Sequence, residues 1–291
     1  MPMEKKLKKL SKRVNFYLSS YLSKFNSSEL TAPMKYGLFP GGKKIRSKII
    51  FDVGNIFNVK NKNLLILAAS VEAIHAYSLI HDDLPCMDDD KLRRGKPSTH
   101  IKFGESTAIL AGNSLLTTAF EILSDKNFRV EEKIKSKLIN SLSRCSGQTG
   151  IAGGQYLDLS YEKKKVSLQK ILNMELKKTG KLFEFCCIAP LIIKKNKKSL
   201  RSFSKIGKDI GLLFQIVDDL IDFKGKTKHA GKKTKKDIKK GKATIISLLG
   251  YKNAVKYANK LKQKIYIKLK SHTTKANDLR ETIDFIMERT N

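Results

Sequence analysis

The chain has 291 residues, with 59 Lys and Arg against 27 Asp and Glu, a formal net charge of +32. Hydrophobic residues make up 41% of it, enough for a substantial core, which excludes a wholly disordered chain. A single large domain spanning 1–291 accommodates this length.

A balance this basic raises nucleic-acid binding as a possibility. The lysines are spread along the whole chain, however, aromatics are few and Trp is absent, so bases have little to stack on. Composition rich in Lys, Asn and Ile also arises from mutational bias, and steering of strongly anionic substrates is a third reading compatible with it. Neither nucleic acid nor membrane is expected as a partner. The four cysteines, Cys86, Cys145, Cys186 and Cys187, fit no zinc spacing. They are expected to be free thiols in a reducing cytosol, which places the protein in the cytoplasm.

The periodicity is helical almost throughout, with helices predicted over about 4–25, 43–57, 63–82, 104–124, 131–149, 167–193, 199–223, 243–270 and 277–289. The fold class is therefore all-α. The first helix is basic, and no apolar run follows that would mark a secretory signal. Pro33, Pro40, Pro85 and Pro97 sit at expected breaks, and Pro190 is expected to kink or end its helix.

Phe39-Pro40-Gly41-Gly42-Lys43-Lys44-Ile45-Arg46 opens the second predicted helix. A Gly pair, a helix N-terminus and fixed cations make a reasonable anion site, although Gly-Gly-Lys alone is a common turn. His75 follows, two turns before Asp82, and should look the same way along its helix.

The most informative stretch is His81-Asp82-Asp83-Leu84-Pro85-Cys86-Met87-Asp88-Asp89-Asp90. Its crowded carboxylates repel and call for a countercharge, which a hard divalent cation supplies. Pro85 is expected to bend the helix here so that Asp82 and Asp88 can act together. Lys91-Leu92-Arg93-Arg94-Gly95-Lys96 comes next. A second cluster, Phe214-Gln215-Ile216-Val217-Asp218-Asp219-Leu220-Ile221-Asp222, puts Asp218 and Asp222 on one helical face, with Leu220 and Ile221 expected in the core. The spacing suggests that the two clusters are opposing walls of one cleft. Between Lys224 and Lys242 stand ten Lys and one acid, Asp237. Such a loop repels itself and is expected to act as a lid.

Together these residues resemble the trans-isoprenyl diphosphate synthase family. Asp82-Asp83-Leu84-Pro85-Cys86-Met87-Asp88 looks like its first aspartate-rich motif, in the longer form, and Asp218-Asp219-Leu220-Ile221-Asp222 like its second. Gly42-Lys43-Lys44-Ile45-Arg46, Arg93-Arg94-Gly95, Gly154-Gln155-Tyr156-Leu157-Asp158, Lys178-Thr179-Gly180 and Phe214-Gln215 match in the family's order.

The resemblance implies a helical bundle around a central cavity. It implies about three Mg2+ ions, held by Asp82, Asp88 and Asp218 with Asp222 in support. It assigns Arg93, Lys178 and Lys232 to the allylic diphosphate, with Lys242 a further candidate. Lys43, Arg46, His75 and Arg94 are assigned to isopentenyl diphosphate, and Thr179 and Gln215 to the reacting carbons. Asp82, Asp88, Asp218, Lys178, Thr179 and Gln215 form the implied catalytic set. The implied reaction joins isopentenyl diphosphate to dimethylallyl and then geranyl diphosphate by ionisation, condensation and elimination, giving (2E,6E)-farnesyl diphosphate.

Tyr77, five residues before Asp82, stands where family members that stop at farnesyl carry an aromatic, so it is expected to limit chain length. The family is commonly homodimeric. One departure is the run Gly241-Lys242-Ala243-Thr244-Ile245, which lacks the aromatic and Pro usual after this Lys. The alternatives are a geranylgeranyl diphosphate synthase and a class I terpene cyclase. A cyclase would not need the cations Lys43, Arg46 and Arg94 for a second diphosphate.

Overall fold

The structure, a computed structural model, describes residues 1–25, 27–228 and 244–289, the side chains of 226–228 excepted. The chain divides into two compact units, Met1–Asn140 with Ile192–Lys194, and Ser141–Leu191 with Lys195–Asn291.

The first unit opens with α1 (Met3–Leu22), which buries Leu7, Leu10, Val14, Leu18 and Leu22 at helical spacing and turns its lysines outward. Then come α2 (Thr31–Leu38), α3 (Ile45–Ile56) and α4 (Asn61–Asp82). A two-residue hairpin, β1 (Leu92–Arg93) with β2 (Lys96–Pro97), leads to α5 (Thr99–Phe103) and α6 (Glu105–Ser124). α7 (Glu132–Ser146) carries the chain from this unit into the next.

α2 was not expected, because Pro33 reads as a break. It sits in the first turn, where a missing N–H removes no intrahelical bond. α4 is the centre of the unit, with α1, α2, α3 and α6 packed around it. It is also the one described helix long and apolar enough to cross a membrane, yet most of that stretch is buried inside the unit.

In the second unit α8 (Ile151–Ser160) is followed by α9 (Leu168–Glu175), a π-helical turn (Leu176–Gly180) and α10 (Lys181–Ile193). The helix predicted over 167–193 is thus present but interrupted by a wide turn. Pro190 lies in the last turn of α10.

α11 (Lys197–Lys228) is the core of this unit and buries Phe203, Ile206, Ile210, Leu213 and Val217 along one stripe. α9, the π turn, α12 (Ile245–Leu249), α13 (Tyr251–Leu269) and α14 (Asn277–Met287) pack against it. The helix expected over 243–270 is broken at Gly250, whose φ of 73° no helix accepts. Lys232, Lys242 and most of the expected lid lie outside the described residues.

Candidate active site

The first aspartate cluster forms where α4 stops. Contrary to the expectation from the sequence, Pro85 does not bend the helix. The helix ends at Asp82, and Pro85 lies in the turns beyond it. Asp88 N–H donates to the Asp82 carbonyl at 2.8 Å, and Asp90 N–H to the Asp83 carbonyl at 3.1 Å. This fold-back, not a helix face, returns Asp88 to Asp82. Both are half-buried.

Asp83 points the other way. It is buried, and Arg93 Nε donates to its two oxygens at 3.0 and 3.2 Å. Burial weighs against the Arg93 charge, but Asp83 outweighs it and raises the guanidinium pKa.

The expected isopentenyl diphosphate residues belong to the same unit, and Arg46, His75 and Arg94 are brought together. Arg94 and Gly95, with φ of 53° and 76°, form a two-residue turn joining β1 to β2, a geometry that requires positive φ at both positions. This turn lays the Arg94 guanidinium over Gly42, where any Cβ would overlap it. Arg46 Nη1 lies 3.1 Å from His75 Nε2. Arginine can only donate, so His75 accepts at Nε2 and carries its proton on Nδ1. Burial, then Arg46, Lys44 and Arg94, holds the His75 pKa well below its ordinary value. The imidazole is neutral at physiological pH.

The second unit assembles Lys178, Thr179 and Gln215 at the π turn. Gly154 of α8 packs against Lys178, so closely that a Cβ there would strike the Lys178 backbone. Lys178 Nζ donates to Asp158 Oδ2 at 2.8 Å. Thr179 Oγ1 donates to Gln215 Oε1 at 3.2 Å, and Gln215 Nε2 donates to Asp219 Oδ1 at 3.0 Å. Burial pushes the Asp219 carboxyl up to about 7, and the charges of Asp222 and Asp218 add to this against the Gln215 bond.

Asp218 Oδ1 pairs with Arg289 Nη2 at 2.8 Å. The Arg289 guanidinium also lies 4.0 Å over the Phe214 ring and donates to the Phe214 carbonyl at 3.3 Å. Asp222 is exposed. Leu220 and Ile221, expected in the core, are only half-buried; Ile216 and Val217 take the core positions.

Three residues with defined contacts here escaped the sequence: Asp83, Asp219 and Arg289. Asp219 carries a legible signal, four residues after Gln215 on one helix. Arg289 carries none, because its partners lie far away in sequence.

The donors available to a metal are carboxylates in pairs, Asp82 with Asp88 and Asp218 with Asp222. Among the described residues no three His, Cys, Asp or Glu side chains form a metal-holding group. Such a donor set suits Mg2+, which takes one or two carboxylates and fills its shell with water and phosphate oxygens.

Comparison with known proteins places the chain. A family profile described as polyprenyl synthetase matches residues 27–285. The farnesyl diphosphate synthase of Escherichia coli is 38% identical over 297 residues, covering 99% of each chain. A solved FPP/GFPP synthase from Zymomonas mobilis superposes with a TM-score of 0.87 at 34% identity, covering 98% of each chain. A geranyltransferase from Helicobacter pylori, solved with magnesium and isoprenyl diphosphate, superposes with a TM-score of 0.79 at 29% identity over 99% of this chain and 97% of that one. The profile over residues 27–285 and relatives alike over nearly the whole chain agree, and the chain belongs to the polyprenyl synthetase family.

Proposed function

We propose that this chain joins isopentenyl diphosphate to dimethylallyl and then geranyl diphosphate, giving (2E,6E)-farnesyl diphosphate. One observation carries this reading beyond family membership. The first unit holds a cluster of cations and one neutral imidazole, Arg46, His75 and Arg94 beside Gly42 and Lys43, apart from the carboxylate pair Asp82 and Asp88. In this reading the first takes a diphosphate without metal and the second a diphosphate with it. An enzyme that only ionises one substrate has no use for both.

Asp82, Asp88, Asp218 and Asp222 would hold Mg2+, which supplies positive charge to the leaving diphosphate. Lys178 and Arg93 pair the same diphosphate, exchanging Asp158 and Asp83 for phosphate oxygens. Lys232, and less directly Lys242, serve it from the segment beyond α11. Lys43, Arg46 and Arg94 hold isopentenyl diphosphate by charge, and neutral His75 contributes a ring hydrogen bond.

Thr179 and Gln215 face their oxygen dipoles toward the allylic cation. Because Thr179 donates to the Gln215 oxygen and Asp219 accepts from its nitrogen, the amide is held in one orientation. Preorganised dipoles of this kind stabilise charge without reorganising as it develops. The new C–C bond forms from the isopentenyl double bond, and the departing diphosphate takes the proton. The two units serve as one catalytic domain, and the active form is a cytoplasmic homodimer.

The test is an assay with isopentenyl, dimethylallyl and geranyl diphosphates and Mg2+. Farnesyl diphosphate is the expected product. Failure to consume isopentenyl diphosphate, or release of a cyclic hydrocarbon, overturns the reading.

A further inference from the structure

Gly41-Gly42-Lys43-Lys44 offers an anion two adjacent lysines, and the structure separates them. Lys43 is exposed. The Lys44 side chain is 8% exposed, and its Nζ lies 3.2 Å from Glu72 Oε2. The other carboxylate oxygen, Oε1, accepts from Ser47 Oγ at 2.7 Å. Glu72 itself is 4% exposed. One buried carboxylate on α4 therefore grips both the residue before α3 and the first turn of α3.

Lys44 needs that grip. Its φ of 49° and ψ of 46° are left-handed, a conformation in which any side chain crowds the following carbonyl. Such strain persists only where the surroundings hold it, and it gathers at binding sites. Together with Gly41 and Gly42, at φ of 97° and 125°, Lys44 turns the chain into α3. This turn sets where Lys43 and Arg46 stand. Glu72 and His75 lie three apart on α4, so the helix presents both to the start of α3, the first to Lys44 and Ser47, the second to Arg46.

We propose that Glu72 is a positioning residue for the isopentenyl diphosphate subsite: by anchoring Lys44 it fixes the left-handed turn that presents Lys43 and Arg46. Lys44 is then the anchor and Lys43 the ligand. The inference rests on the subsite reading given above.

Two opposed effects make it testable. A carboxylate near a phosphate site repels the ligand, so by charge alone its removal would tighten binding. An anchor does the reverse. Glu72→Gln keeps the shape and can still accept from Ser47, but it leaves the buried Lys44 without its counter-charge. It is expected to raise KM for isopentenyl diphosphate about tenfold while KM for geranyl diphosphate stays within about twofold. Calorimetric titration of isopentenyl diphosphate in EDTA should weaken by a similar factor. An unchanged or lower KM, or equal loss for both substrates, overturns the proposal.

Lys44→Gly accepts the left-handed φ and removes the same contact. It decides the matter if Glu72→Gln does not fold, with the same expected rise and the same overturning outcomes. Lys43→Ala and Arg46→Gln separate the two levels of inference. If both leave KM for isopentenyl diphosphate unchanged, the subsite reading falls. If they raise it while Glu72→Gln and Lys44→Gly do not, only the role of Glu72 falls.

Discussion

His75 shows how a single side chain is defined by its neighbours. Alone on an apolar helix it reads as an ordinary core histidine. Half-buried among Arg46, Lys44 and Arg94, it is held neutral. Its folded pKa lies below the unfolded value near 6.5, so the unfolded chain binds the extra proton first. The stabilisation is complete above that value and is lost as pH falls below it, by about 1.4 kcal/mol per pH unit while only the unfolded chain is protonated. Denaturation between pH 7 and 5 is expected to show this loss, and His75→Gln to flatten it. Arg289 makes the complementary case, a cation held by the Asp218 carboxylate and an aromatic face. Asp218 is partly exposed, so Arg289→Met is expected to cost only about 1 kcal/mol. The check is urea denaturation in EDTA. The aspartates themselves were legible from local spacing. Asp219 as the half-buried partner of Gln215, and Glu72 as an anchor, were not, because burial is a property of the packed helices.

At the scale of elements, the π turn at Leu176–Gly180 is the feature that aims Lys178 and Thr179. Wide turns inside helices recur at functional sites. Nothing in the periodicity of 167–193 announces this one, since a single extra residue in a turn leaves the apolar stripe almost unchanged. Gly154 permits it by leaving room against Lys178. Gly154→Ala is expected to destabilise the protein by about 2 kcal/mol through overpacking. It should also lower kcat, with melting curves and steady-state rates as the checks. α4 carries the second element-scale prediction. Tyr77 is buried, and its ring meets His81 edge-on at 5.6 Å. Burial and Asp82 push its hydroxyl up to about 12, so it acts as a neutral, bulky group. If it floors the product pocket, Tyr77→Ala shifts the product toward twenty carbons. An unchanged chromatographic profile refutes that ruler. α2 and α8 were missed for a local reason: Pro33 in one and Gly153-Gly154 in the other lower helix propensity, and packing overrides it.

At the scale of the whole molecule, a net charge of +32 remains to be explained. Substrates that carry diphosphates give it a use in long-range attraction. If the charge steers them, kcat/KM for geranyl diphosphate at limiting concentration should fall several-fold, roughly, from low salt to physiological salt, where the screening length is about 8 Å. A salt-independent value assigns the charge to composition alone. The sequence by itself determined the helical class, both aspartate pairs and the cations that accompany them, because helical periodicity and clustered charge are written in neighbouring residues. Only tertiary structure decided that Asp88 returns to Asp82 through a backbone turn, that Arg94 lies over Gly42, and that Glu72 rather than solvent meets Lys44. The first is a local turn that follows no helical period; the other two join separate segments, and the energy of such a contact does not exist until the helices have packed.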